Sequence, residues 1–437
     1  VNHYNQLVSR QTVDWEGEEV TVSQLDPVLQ ETDRARRERA WLLASQRQLE
    51  DRSAINDLWS ELFPLRLQSA KNAGFSDYRS FRWQELLRFD YTPEDALRFH
   101  EAIREVVVPA AERIYERRRR QLGVGALRPW DLEVDPLGRP PLHPFDSVED
   151  LLAKAGAIFE RLDGDLGAYF QQMRAEGLLD VANRKNKAPG GYTVTFAHER
   201  KPFVFTNAVG VHDDVQTVFH ESGHAFHVFE SAALPYYFQR DVPTEFAEVA
   251  SMGMELLTSP YLAREQGGFY TRAEAARARL WHLEGLITFW PYMAVVDGLQ
   301  HWAYTHPKEG ADPERLDATW RRLWAAYMPG VSWEGLEDAL VTGWQRKLHI
   351  LTIPFYYIEY GFAQLGAVQL WHAAREDEHA EIGRYRQALA LGGTRSLPEL
   401  YQAAGARLSF DPQDLQQAVG WIEAEMERLR VEAQEDS

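Results

Sequence analysis

The chain has 437 residues, 45% of them hydrophobic, which is enough apolar material for a sizeable core and long enough for more than one lobe. Its formal net charge of −19 implies an acidic surface that repels phosphate backbones and argues against nucleic acid as a partner. Cysteine is absent, so disulfides are excluded, any metal site must use histidine and carboxylates, and a reducing cytoplasm is the expected compartment.

No apolar run is long and clean enough to span a bilayer, so no membrane partner is expected. The opening VNHYNQLVSR lacks an initiator Met and does not read as a signal peptide. A charged amphipathic stretch then runs from about Leu25 to Ala73, and its ETDRARRERA half carries interleaved charges that suit a solvated scaffold helix. Thr92-Pro93-Glu94-Asp95 combines a capping Thr, a first-turn Pro and first-turn acids, and predicts a helix to about Leu122. The Pro-rich segment from Leu127 to Phe145 holds Trp130 and Asp131 and reads as an ordered connector. On this basis residues 1–125 form a helical N-terminal part and residues 126–437 a catalytic part. Ser147-Val148-Glu149-Asp150 opens another helix. Two segments rich in β-formers follow, 190–196 and 202–206, with a turn through Glu199 and Arg200. From Asp213 onward the pattern is helical.

The segment DDVQTVFHESGHAFHVFE contains His220-Glu221-Ser222-Gly223-His224. On a helix, Val215, Val218, Phe219, Phe226 and Phe229 build one apolar face, and His220, His224 and His227 fall on the other. Residues i and i+4 lie one turn apart, so His220 and His224 can both reach one zinc ion. Glu221 sits one position round, free to take a proton from a metal-activated water. A bare HExxH arises by chance in roughly a few chains per hundred of this size, so its context matters. His227 occupies the position where a third-histidine motif needs glycine, and reads as a packing or supporting residue. The third ligand is then expected from the acidic helix that follows Asp241. Glu245 lies in its first turn, where an acid commonly answers the helix dipole. Glu248, one turn further in, is the expected ligand, and Glu255 is a candidate to orient a ligating histidine. Absent the HExxH, a solvated helix face would explain all three.

A second segment, HILTIPFYYIEYG, carries His349, Tyr356, Tyr357 and Tyr360. Phenols and imidazoles can donate to a developing oxyanion. Tyr357 and Tyr360 at i and i+3 would share one side of a helix, although a buried aromatic stripe explains the same pattern.

Together FHESGHAFH, EFAEVAS and HILTIPFYYIEYG resemble the thimet-oligopeptidase-like M3 family, in its oligoendopeptidase F and Pz-peptidase branch, from about Thr21 to about Gln416. The resemblance implies a mainly α fold: a zincin-like gluzincin core with a small β-sheet, inside a helical clam-like shell around a deep channel. It implies one Zn2+ per chain on His220, His224 and Glu248, with Glu221 as general base. His349, Tyr357 and Tyr360 would hold substrate and stabilise the tetrahedral intermediate, with Tyr356 a possible substitute for Tyr357. The strand Phe203–Thr206 resembles the edge strand along which such enzymes align a peptide, and Gly191, Phe205 and Tyr356 are the expected substrate contacts. Family members carry a further helical region before the point where this chain starts, so that region is expected to be missing or the chain to be a shorter relative. The implied activity is cleavage of internal bonds in short peptides. The rivals are a helical zinc carboxypeptidase and a helical peptide-binding protein with a dead zinc site. Glu221 argues against the dead site, and an aminopeptidase would want GxMEN upstream, where this chain has Gly253-Met254-Glu255-Leu256 downstream.

Overall fold

The fold is that of a computed structural model, which describes residues 2–184, 187 and 190–433. It is mainly α-helical with two small sheets. Its contacts divide it into two compact units, Val1–Pro141 with Ile287–Ile358, and Leu142–Leu286 with Glu359–Ser437. This differs from the expected parts at 1–125 and 126–437: the first break falls later, inside the Pro-rich connector, and residues 287–358 group with the N-terminal unit. The second break lies within one 34-residue helix, Arg272–Thr305, whose unbroken helical pattern hides it in sequence.

In the first unit a short helix, Asn2–Ser9, leads into a hairpin of β1 (Thr12–Trp15) and β2 (Glu18–Thr21), in register from Thr12↔Thr21 to Trp15↔Glu18. Glu16 and Gly17 both have positive φ, 58° and 91°, as a two-residue hairpin turn of matching twist requires. Four-residue strands rich in charge give little alternation, which is why the sequence pattern passed over them. The predicted stretch from Leu25 breaks into helices Asp26–Leu29, Arg34–Glu50 and Arg52–Asn72. Asp33 caps the second by accepting from the Ala35 and Arg36 amides. Its charged face is not merely solvated: Arg37 is buried, and Arg34 and Arg37 grip the fully buried Asp131 at 2.8 and 3.1 Å. The connector is therefore ordered by ion pairing as well as by the buried Trp130.

The helix predicted from Thr92 runs as Pro93–Ala102, a π turn at Ile103–Val107, and Val108–Leu122. Thr92 and Asp95 cap each other reciprocally, and Gly123 stops the run in the left-handed conformation at φ 66°. The π turn falls just before Pro109, which has no N–H to continue an α ladder. Trp59, Phe63, Tyr78, Tyr304, Trp344 and Phe355 form the aromatic core of this unit.

In the second unit, β3 (Leu179–Ala182), β4 (Tyr192–Phe196) and β5 (Lys201–Ala208) form a sheet in the order β3-β5-β4. The central strand β5 pairs parallel with β3 and antiparallel with β4. One face of β5, with Pro202, Val204 and Thr206, is buried, and β5 lies on the helix His212–Ser231. Helices Val148–Leu162, Gly164–Ala175, Thr244–Thr258 and Glu378–Ala390 pack with it in this core. Ser147 caps the first of these by accepting from the Asp150 amide at 3.1 Å. Among the described residues no helix is long and apolar enough to cross a membrane.

Candidate metal centre

The helix His212–Ser231 is pinned at its start by Asp214, whose Oδ2 accepts from the amides of Val209, Gly210 and Val211 at 2.8, 2.7 and 3.0 Å. Its apolar face is buried as the periodicity requires, with Val215, Val218, Phe219 and Phe226 inside and Phe229 stacked on Tyr169. His220 and His224 lie on the opposite side, with side chains 21% and 20% exposed.

The helix Thr244–Thr258 crosses directly against it. Gly223, in the middle of the HESGH segment, makes the approach possible: a Cβ there would sit 2.5 Å from the Ala250 carbonyl oxygen and 2.6 Å from the Ser251 Cα. The close crossing brings Glu248 Oε2 to 3.2 Å from His220 Nε2 and 3.5 Å from His224 Nε2. Ligand atoms of His220, His224 and Glu248 all lie within 4.8 Å of one another, close enough to share a metal ion. Glu245, the competing acid in the first turn, is buried and stands outside this group.

The surroundings also fit a cation. Glu255 Oε1 lies 2.6 Å from His220 Nδ1, which leaves Nε2 for the metal, and Glu255 Oε2 lies 2.9 Å from His282 Nε2. Ser251 Oγ donates to Glu248 Oε2 at 2.9 Å and holds that carboxylate in place. Burial alone would raise the Glu248 carboxyl, but the adjacent His224 and His220 rings outweigh it and hold Glu248 well below the usual carboxylate range. Burial likewise opposes a charged His220, and Glu248 and Glu255 overcome it to hold that imidazole well above its ordinary value.

Glu221 is 5% exposed, and its Oε2 accepts a 2.6 Å hydrogen bond from Thr193 Oγ1 on β4. Its other oxygen borders Gly191, where a Cβ would come within 3.4 Å of Oε1. His227 is buried edge-on to Phe246, and neither ring nitrogen finds a hydrogen-bond partner among the described residues. Burial, with His224 nearby, lowers its pKa to about 3, as befits a neutral packing residue.

Two expectations are corrected. Phe203–Thr206 is not an edge: Phe205 pairs with Tyr192 on one side and Asp180 on the other, so its backbone is already committed. The edge beside Glu221 is β4, and Phe205 instead stacks its ring on Tyr192 at 4.7 Å beneath the Lys187 ammonium. Local hydrophobicity marks both strands alike, and only the pairing order tells edge from centre. Tyr357, in turn, does not share a helix with Tyr360. Pro354 cannot continue the Leu348–Thr352 helix, Phe355 turns through φ 64°, and the next helix, Ile358–Ala374, begins after Tyr357. Tyr360 lies in that helix, half-buried, in the second unit. His349, Tyr356 and Tyr357 belong to the first unit, where the His349 ring lies 5.7 Å from Tyr356 and 5.0 Å from Tyr357. Lys347 Nζ sits 4.5 Å over the Tyr357 ring, and burial lowers its pKa to about 8.

Thr193, Ser251, His282 and Gly223 went unremarked in the sequence as parts of the site. Of these only Gly223 carried a signal, as a glycine inside a helix that has to approach another backbone.

Residues 28–420 match Peptidase family M3. An oligoendopeptidase F homolog from Lactococcus lactis subsp. lactis (strain IL1403) is 28% identical over 204 residues, 44% of this chain and 31% of that protein. The match to this curated relative thus spans less than a third of its length. Among solved structures, Pz peptidase A with inhibitor 2 superposes with a TM-score of 0.91 at 30% identity, covering 98% of this chain and 75% of that one. A candidate oligoendopeptidase F from Bacillus anthracis str. Ames gives 0.86 at 27% identity, covering 98% and 73%. The family match includes both the HESGH segment and the Glu248 helix, and the chain belongs to peptidase family M3.

Proposed function

We propose that this chain is a zinc-dependent endopeptidase that cleaves internal bonds of short oligopeptides. The observation that carries the reading is the convergence of His220 Nε2, His224 Nε2 and Glu248 Oε2. Two imidazoles and one carboxylate are the protein ligands of a catalytic zinc site that keeps a fourth position open. Zinc held there would supply a Lewis acid that lowers the pKa of a water to about 7.

Glu221 takes the proton from the attacking water and passes it to the leaving amine. The substrate pairs along the outer edge of β4, with Gly191, just before that strand, leaving room for its backbone. Phe205 contributes an apolar side chain below Tyr192. By the family resemblance, Tyr360 donates to the oxyanion of the tetrahedral intermediate, and His349 and Tyr357 hold the substrate carbonyls. Tyr356, packed on the same imidazole, is the alternative partner.

The test is digestion of internally quenched peptides blocked at both ends, together with metal analysis. We expect about one zinc per chain, internal cleavage of blocked peptides, and Glu221→Gln protein that keeps zinc but loses on the order of 10²–10⁴ in turnover. Cleavage only of peptides with a free carboxyl end would make it a carboxypeptidase. Metal binding and peptide binding without hydrolysis would make it a binding protein.

A further inference from the structure

We infer that Thr193 is a positioning residue for Glu221, holding one carboxylate oxygen so that the other is left to take the proton. This rests on the proposal that Glu221 is the general base. A glutamate side chain has three free torsions, and a base is useful only when its reactive oxygen is held close to the productive direction. Thr193 Oγ1 lies 2.6 Å from Glu221 Oε2, the length of a hydroxyl donating to a carboxylate. The same hydroxyl lies 3.0 Å from the Glu221 carbonyl oxygen, but its single proton serves the shorter contact. Among the described residues Oε1 accepts no such hydrogen bond. It faces Gly191, where an added Cβ would stand 3.4 Å from Oε1 and 3.0 Å from the Thr217 methyl. The strand thus ties down one oxygen, and Gly191, just before the strand, puts no Cβ beside the other.

The threonine is itself well placed to act as an anchor. It pairs with Val204, which is 1% exposed at the centre of the sheet. The pleat of β4 sends Thr193 toward the helix His212–Ser231, while Tyr192 and Val194 on either side are 43% and 42% exposed. A strand reports its position rigidly, and a hydroxyl on it transmits that position to the base.

Four proteins test this: Thr193→Val, which removes the donor but keeps the branched shape, Thr193→Ser, Glu221→Gln, and the double variant Thr193→Val/Glu221→Gln. Zinc content, kcat and KM on a blocked quenched peptide are measured for each, and the Thr193→Val crystal structure is determined. Loss of a hydrogen bond to a charged group should lower kcat about ten- to a hundredfold in Thr193→Val. KM and zinc content should stay at wild-type values, and Thr193→Ser should recover kcat to within about threefold. Adding Thr193→Val to Glu221→Gln should cost nothing more, because both act through one carboxylate. In the crystal, the Glu221 carboxylate should be turned or divided between rotamers. The inference fails if Thr193→Val keeps wild-type kcat beside an inactive Glu221→Gln, if serine fails to rescue, if zinc is lost, or if the carboxylate is unmoved. A Glu221→Gln protein as active as wild type would instead overturn the general-base reading itself.

Discussion

Each unit has a cluster of two histidines and one carboxylate, yet among the described residues only one brings its ligand atoms close enough to share a metal ion. In the second unit His220 and His224 meet Glu248. In the first, His100 Nε2 and His301 Nε2 lie 3.0 and 3.1 Å from Asp297 Oδ2. Both contain an i, i+4 pair on one helix, but in the first unit that pair is Asp297 and His301, and in the second it is two histidines. The next neighbours have opposite signs. Glu255 backs His220, whereas Arg79 lies 3.3 Å from His301 Nδ1 and already supplies the positive charge. Access differs as well: the His220 and His224 side chains are 21% and 20% exposed, and those of His100 and His301 only 5% and 4%. Composition therefore does not make a metal site. Convergence of ligand atoms, a negative outer neighbour and an open side do.

Breaking the comparison at its strongest point means removing each carboxylate. Glu248→Ala should lose bound zinc and essentially all peptide hydrolysis, read by elemental analysis and quenched-peptide assay. Glu245→Ala should keep the metal, and the reverse outcome would move the third ligand to Glu245. Asp297→Ala should do the opposite of Glu248→Ala. It should keep one zinc per chain and wild-type kcat per folded molecule, but lose about 3–5 kcal/mol of stability in denaturant titration, the usual cost of leaving a buried charged cluster without its partner. Metal loss from Asp297→Ala would show that the two clusters are not independent.

Tyr360→Phe sharpens the contrast between site and scaffold. A donor that matters only as the oxyanion forms should cost about 10²-fold in kcat, with KM and zinc unchanged. Full activity with reduced stability would make Tyr360 a packing residue.

The smallest effect is in pH. Burial holds His301 below its ordinary value and His227 down to about 3. A histidine whose folded pKa is depressed contributes stability that is complete above its unfolded pKa of about 6.5 and drains away as pH falls toward the folded value. Each such group should steepen acid destabilisation by up to about 1.4 kcal/mol per pH unit in that window. His227→Leu should therefore flatten the urea-midpoint curve between about pH 6.5 and 3 while keeping its metal. Zinc loss in this variant would place His227 among the ligands after all.

The sequence by itself determined the elements whose signals are local. An i, i+4 histidine pair on an amphipathic helix, a reciprocal Thr92–Asp95 cap and a β-rich pair of segments each follow from periods and caps within a dozen residues. They were enough to place Glu221 beside His220 and His224, and to single out Glu248 over Glu245. What only the tertiary structure decided depends on residues far apart in the chain. Asp131 pairs with Arg34 and Arg37 across about a hundred positions and draws Arg37 into the interior, giving a face that looked solvated a buried anchor. The order β3-β5-β4 puts β4 at an edge and β5 at the centre, although both segments are rich in β-formers. Phe355 at positive φ separates Tyr357 from the helix of Tyr360, a break that depends on backbone geometry after Pro354. Thr193 reaches Glu221 across 28 residues because the pleat and pairing of one strand happen to aim it there. Helical and strand periods are set by each residue's immediate neighbours, whereas edges, buried charges and the aim of a catalytic side chain are set by which surfaces meet.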